Sequence, residues 1–241
     1  MYRRFREDLK TNPVSHHRTH LQNMELEWAH IFRDSIRGKP WLQSLPLNVG
    51  RWAGNYSFFY VLCRLLNDYK AKSIIEFGLG ESSKVVAAFI EHQLLDCRHT
   101  IIEENKDWRD SFLNRFPLSD RSEIKILPAE QKQAAGGAMY KGYASIDTAV
   151  AETFDLYLVD GPTGSERFSR YDIVTIAKQL HNGDEFVILI DDYDRAGEKE
   201  TTEALLELFK QRGIHVHTGV YMGNASQIVI ATGRYQFATT M

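Results

Sequence analysis

The stretch Ile74–Val86, IIEFGLGESSKVV, sets an apolar, β-branched run against two glycines and then passes directly into residues that suit a helix. Short apolar runs bounded by turn residues are the pattern of strands buried on both faces of a parallel sheet. The same unit recurs downstream. SIIEF, HTIIE, EIKIL, FDLYLVD, EFVILID, IHVHTGVY and SQIVIAT read as strands, the first five as buried parallel ones. Between them, apolar residues return at helical spacing: Val85, Val86, Phe89, Ile90 and Leu94; Ile173, Ile176, Ala177 and Leu180; Leu205, Leu208 and Phe209 ahead of Gly213. Alternation of this kind predicts an α/β fold with a doubly wound, mostly parallel, seven-stranded sheet. The last two strands are separated by MGNA, too short for a parallel crossover, so they close the sheet as an antiparallel hairpin.

The chain has 241 residues, 43% of them hydrophobic, enough for one large α/β domain with additions. Its character changes ahead of the first strand, where His, Arg, Trp and other aromatics are frequent. Helices are expected around Leu21–Ile36 and Tyr56–Tyr69, flanking GKPWLQSLPLNVGRWAGN. The division expected is an N-terminal helical extension over residues 1–55 and the main domain over 56–241. A formal charge of -3 supplies no basic field for gathering nucleic acid. Cys63 and Cys97 make neither a disulfide framework nor a multi-cysteine zinc site, which fits a reducing compartment. MYRRFREDLK has no apolar signal core, and no apolar run approaches the roughly 18 residues that span a bilayer. A soluble, cytoplasmic protein without a membrane span is expected.

Ligands of doubly wound sheets gather at the carboxyl ends of the strands. At the first strand's exit, Gly78 and Gly80 allow a tight turn and close backbone approach, while Ser82 or Ser83 caps the next helix. A dinucleotide fingerprint needs a third glycine, and Ser83 stands in its place, which counts against an NAD-linked oxidoreductase. HTIIEENKDW brings Glu103 and Glu104 to the tip of the second strand, where a carboxylate can accept hydrogen bonds from a ribose diol. A nucleoside ligand follows.

IIEFGLGESS resembles the E-x-G-x-G motif of the class I S-adenosylmethionine-dependent methyltransferases, and IIEENKDW resembles their second-strand acid followed by a helix-opening tryptophan. The resemblance continues through LVDGP and ILIDDYD and covers roughly Tyr56–Thr232. It implies a Rossmann-like methyltransferase fold and S-adenosylmethionine as cofactor. Glu76, Gly78 and Gly80 would shape the methionine end of the pocket, with Asn55 and Tyr56 at its border, and Glu103 would hold the ribose. LPAEQ lacks the family's frequent G-D-A pattern and leaves Glu130 as the substitute adenine contact.

Asp160, Asp191 and Asp192 stand at the exits of later strands, and neighbouring strand tips would bring them together. Their placement resembles that of metal-dependent catechol and macrolide-sugar O-methyltransferases. It implies Mg²⁺ on these three aspartates, lowering the pKa of an acceptor hydroxyl, with one aspartate as base otherwise. DGPTGS has no counterpart of the catechol enzymes' lysine, so the base stays open among the aspartates. Arg167 and Arg170 in GPTGSERFSRYD could hold a carboxylate or phosphate of the acceptor, as on a uronic acid or nucleotide sugar. A distant resemblance to plant glucuronoxylan O-methyltransferases also points to carbohydrate.

AEQKQAAGGAMYKGYAS reads either as a mobile lid with aromatic contacts or as an ordinary crossover helix and loop. His16, His17 and His20 lack a nearby acid and are read as no metal site, and His215 and His217 as surface or satisfied interior residues. The expected function is O-methylation of a small-molecule hydroxyl, a sugar or glycan precursor foremost. The N-terminal helices would cover the cofactor, build the acceptor pocket or form a homodimer. The competing classes are an NAD-linked oxidoreductase and a non-catalytic nucleoside-binding or assembly subunit.

Overall fold

A computed structural model of the protein describes residues 13–50, 53–134 and 136–241, with 13–18 as backbone only. Its elements in chain order are α1 (Pro13–Ser35), α2 (Pro40–Gln43), α3 (Tyr56–Tyr69), β1 (Ser73–Phe77), α4 (Glu81–His92), β2 (Arg98–Glu103), α5 (Lys106–Arg115), β3 (Ser122–Ile126), β4 (Ala129–Gln133), β5 (Met139–Tyr143), α6 (Ile146–Ala149), β6 (Leu156–Val159), α7 (Asp172–Ala177), β7 (Val187–Ile190), α8 (Ala196–Gln211), β8 (His217–Met222) and β9 (Ser226–Ala231). A 3₁₀ turn over Gly233–Thr239 follows.

All seven expected strands join one sheet in the order β3-β2-β1-β6-β7-β9-β8. β3, β2, β1, β6 and β7 run parallel, and β9 is antiparallel to both β7 and β8. Strand order reverses between β1 and β6, where a doubly wound sheet opens a crevice for ligands. The central strands β1, β6 and β7 are buried throughout, so the Ile/Leu/Val runs are covered on both faces as their composition requires. One core layer packs α3 and α4 on the sheet with Phe58, Leu62, Val85 and Phe89; the other packs α7 and α8 with Ile173, Ile176, Leu205 and Phe209.

The N-terminal helices belong to the first of these layers. Phe32 and Trp28 of α1 lie against Phe59 and Tyr60 of α3, and Trp41 of α2 packs edge-on to Phe89. α1 starts earlier than its apolar pattern indicated. Of the three N-terminal histidines, His20 is exposed, whereas the side chains of His16 and His17 lie outside the described residues. His215 and His217 are both exposed.

The segment AEQKQAAGGAMYKGYAS between β3 and β6 is not a crossover helix. It folds as a separate antiparallel hairpin of β4 and β5, turning through Gly136 and Gly137 at positive φ. Buried Asp172 on α7 clamps it by accepting from Tyr143 N (2.6 Å), Lys132 Nζ (3.0 Å) and Tyr140 Oη (3.2 Å). Three donors on one desolvated carboxylate explain why this polar stretch holds a fixed place.

Candidate active site

The strand tips are aligned by bonds that continue past the strands themselves. Gly78 N donates to Ile102 O, Asp160 N to Phe77 O and Asp191 N to Val159 O. Above them opens a cavity of about 780 Å³, a size suited to a cofactor with a small acceptor. Gly78, Glu103 and Asn105 line one side, Asp160, Asp191 and Asp192 the other, and Asn55 and Tyr56 the rim.

Gly78 has φ +96, a conformation that L side chains rarely adopt, so the turn after β1 requires glycine there. Gly161, after β6, is required for a different reason: a Cβ would lie 2.5 Å from Tyr143 Oη and 2.8 Å from Gly78 N. The two glycines let the tips of β1 and β6 touch. Gly80 is extended, and a Cβ there would meet nothing within 4 Å. Ser83, in the position of a third dinucleotide-binding glycine, accepts from Gly80 N at 3.0 Å and locks the start of α4.

Several sequence-predicted residues lie outside the cavity wall. Glu76 points away from it, buried between Ser82 Oγ, which donates to it, and His99 Nε2 at 3.0 Å, while His99 Nδ1 meets Ser122 Oγ at 3.1 Å. Glu76 and Ser82 thus brace β1, β2 and α4, and Gly80 and Ser83 shape the turn from behind. Glu130 is exposed on β4 and does not line the cavity.

Glu103 is buried at the tip of β2, with Oε2 accepting from Leu79 N (3.0 Å) and Oε1 from Asn105 N (2.7 Å). Burial raises its pKa, and those two backbone donors oppose the rise. Each oxygen keeps a further acceptor site, as a ribose diol needs. Trp108 docks beside it by donating Nε1–H to Leu79 O at 2.7 Å.

At the other side, one ligand atom from each of Asp160, Asp191 and Asp192 lies within 4.8 Å of the others. Arg170 enters this cluster. Its Nη2 donates to Asp160 Oδ1 (2.9 Å) and Asp192 Oδ2 (2.8 Å), and its Nη1 to the backbone oxygen of Asp191 (2.8 Å). Arg195 adds a second contact to Asp192 at 2.8 Å. Arg170 and Asp192 both adopt left-handed backbone, φ +60 and +58, which costs on the order of 1–3 kcal/mol each and is found where surrounding structure over-determines it. Burial raises the pKa of Asp160 well above the ordinary range; Arg170 opposes this, and Asp191 and Asp192 reinforce it. Asp191 is pushed up to about 6 by burial and then by Asp192, against Arg170 and a bond from Gln227. Burial works against the charge of Arg170, but the surrounding carboxylates outweigh it and the guanidinium stays protonated.

Each of the three aspartates thus has one oxygen engaged within the protein, while one ligand atom from each still lies within reach of a common ion. Oδ1 of Asp160 and Oδ2 of Asp192 already hold Arg170, and Asp191 Oδ1 accepts from Gln227 Nε2 and Asp192 N, both at 2.9 Å. Arg167, expected beside Arg170 as an anion clamp, is on the surface and bonded to Glu200 at 2.5 Å. A one-turn interval in a loop rich in positive φ sends the two arginines in different directions.

Glu25 on the cavity wall and Gln227 behind it were not anticipated. Glu25 of α1 accepts from Tyr56 N (2.7 Å), Asn55 Nδ2 (2.9 Å) and Asn224 N (3.0 Å), so the N-terminal helix forms part of the wall. Fully buried Gln227 bridges Asn55 Oδ1 and Asp191 Oδ1, each at 2.9 Å, and connects that wall to the acid cluster. A glutamine within the apolar run SQIVIAT is a signal for such a site, whereas Glu25 carries none in its local sequence.

The sheet order is that of a Rossmann-like methyltransferase fold. An O-methyltransferase from Bacillus cereus, solved in complex with S-adenosylhomocysteine, matches 84% of this chain and 90% of its own at a TM-score of 0.51 and 16% identity. The O-methyltransferase TomG from Streptomyces achromogenes, involved in tomaymycin synthesis and solved with S-adenosylmethionine, matches 89% of this chain and 97% of its own at 0.51 and 14%. No protein-family model and no curated protein matches the sequence.

Proposed function

We propose that the protein is an S-adenosylmethionine-dependent O-methyltransferase acting on a hydroxyl of a small molecule, with a sugar or glycan precursor as the favoured class. The observation that carries this reading is one cavity holding both the Gly78 turn with Glu103 and, opposite, the cluster of Asp160, Asp191 and Asp192. The O-methyltransferases that share the fold support it. When bound, S-adenosylmethionine supplies an electrophilic methyl group.

Glu103 accepts the ribose hydroxyls, and the Gly78 backbone lets the amino-acid end approach closely. Asn55, fixed by Glu25 and Gln227, closes the rim. Asp160 keeps about 30% of its side chain accessible in the cavity and is the proton acceptor for the incoming hydroxyl. Burial raises its pKa, which strengthens it as an acceptor for the hydroxyl proton. Arg170, itself bonded to Asp192, holds it in place.

Divalent-metal assistance is the weaker alternative, because Arg170 already offsets part of the cluster's charge through one oxygen each of Asp160 and Asp192. An anionic acceptor, such as a uronic acid or nucleotide sugar, is also disfavoured: Arg167 is turned to Glu200, and the charge of Arg170 is neutralised by carboxylates. A neutral hydroxyl compound fits the acidic wall better. The N-terminal helix acts in the same chain, as a wall of the cavity, independent of any homodimer.

The test is methyl transfer from tritiated S-adenosylmethionine to a panel of neutral sugars, polyols and phenols at fixed salt. Transfer to at least one member, reduced about 10²- to 10⁴-fold in Asp160→Asn with S-adenosylhomocysteine binding unchanged, supports the reading. Full turnover in that variant rejects Asp160 as base. Hydride transfer to NAD in place of methyl transfer would select the oxidoreductase class.

A further inference from the structure

The methyl-transfer reading uses Arg170 only as a brace for Asp160 and leaves its buried charge without a role. Arg170 is 4% exposed, yet it sits among Asp160, Asp192 and, behind it, Glu198. Its Nε has no hydrogen-bond partner and lies 3.8 Å from Glu198 Oε1, and neither carboxylate oxygen of buried Glu198 is hydrogen-bonded. A surface arginine gains little from one carboxylate; this one is withdrawn from water and held from two sides.

A divalent ion on Asp160 Oδ1 and Asp192 Oδ2 would bind at about 2.1 Å from each. Arg170 Nη2 stands 2.9 and 2.8 Å from the same two atoms. Ion and guanidinium would therefore be within about 5 Å of one another, where like charges repel. On those two oxygens the two cations compete.

We propose that Arg170 is the resident cation of this site, neutralising the three aspartates and fixing Asp160 and Asp192 toward the acceptor, so that the reaction needs no divalent metal. Arg170 is a positioning residue: it acts through the carboxylates. Its catalytic consequence rests on the methyl-transfer reading above, but its exclusion of metal does not and can be measured without turnover.

The experiment titrates the full chain with Mn²⁺, followed by the electron paramagnetic resonance of free ion, for wild type, Arg170→Ala, Arg170→Lys and the double variant Arg170→Ala with Asp160→Asn. Circular dichroism reports folding. Wild type and Arg170→Lys are expected to bind no Mn²⁺ at millimolar concentration. Arg170→Ala is expected to bind one ion, with affinity at least about tenfold above wild type, because its buried carboxylates are left uncompensated. The double variant should lose that gain. If Arg170→Ala does not fold, the wild-type and Arg170→Lys titrations still decide: stoichiometric Mn²⁺ binding by wild type, lost on Asp192→Asn, overturns the proposal. A folded Arg170→Ala that is less stable but binds no metal also overturns it, since that is what a merely structural arginine would do. Calorimetry with S-adenosylhomocysteine on the same samples separates the two claims: its failure in every form removes the methyltransferase reading and leaves the metal result standing.

Discussion

Asp191→Asn should make the protein more stable at neutral pH, and by an amount that depends on pH. Asp191 is almost fully buried, and its carboxyl is lifted from 3.8 to about 6 by burial and by Asp192. A carboxyl whose folded pKa is raised stabilises the fold below its unfolded pKa, and that contribution disappears as pH rises through the folded value. Above pH 7 the ionised group therefore costs the folded state on the order of 3 kcal/mol. Asparagine removes the charge and keeps an oxygen to accept from Gln227 and from Asp192 N. For a domain of this size, roughly 2–4 °C per kcal/mol gives a rise in Tm of roughly 6–12 °C at pH 8. The difference should shrink through pH 6 and vanish near pH 4. Differential scanning fluorimetry of both proteins from pH 4 to 8 measures it. A difference independent of pH, or a variant less stable at pH 8, would refute the electrostatic reasoning.

Three further outcomes follow from the same geometry. Gly161→Ala should cost about 1–3 kcal/mol in urea unfolding through the overlap with Tyr143 Oη and Gly78 N, whereas Gly80→Ala should be close to neutral. Glu103→Ala should weaken S-adenosylhomocysteine binding by about 1.5–3 kcal/mol in calorimetry, the value of hydrogen bonds to a charged group; unchanged affinity would reject its ribose role. Glu25→Ala removes the acceptor of three donors and should raise amide exchange across α1 and the β8–β9 turn, while exchange in β1 stays as in wild type.

The sheet was legible because its strands are short β-branched runs that cannot be buried any other way, and because MGNA leaves room for nothing but a hairpin. Strand-tip residues were legible for the same reason: once IIEF is a buried strand, Gly78 must turn at its end, and Glu103, Asp160 and Asp191 follow by equivalence. Side-chain direction was not. Glu76 belongs to a motif, yet strand alternation sends it under α4 to His99, and Arg167 and Arg170 part because Phe168 and Arg170 take positive φ, which no local pattern announces. The β4–β5 hairpin escaped because it is polar on both strands and is held by Asp172, forty residues from Lys132. Glu25 escaped because its three donors come from distant parts of the chain. Among the described residues, no helix is long and apolar enough to cross a membrane.

The measurement that tests the central claim most directly is isothermal calorimetry of the full chain with S-adenosylmethionine and S-adenosylhomocysteine, each with magnesium and with chelator. One equivalent of each nucleoside should bind, with affinity unaffected by metal and reduced by Glu103→Ala. A folded protein that takes up neither nucleoside would contradict the assignment of the Gly78–Glu103 cavity to a sulfonium cofactor.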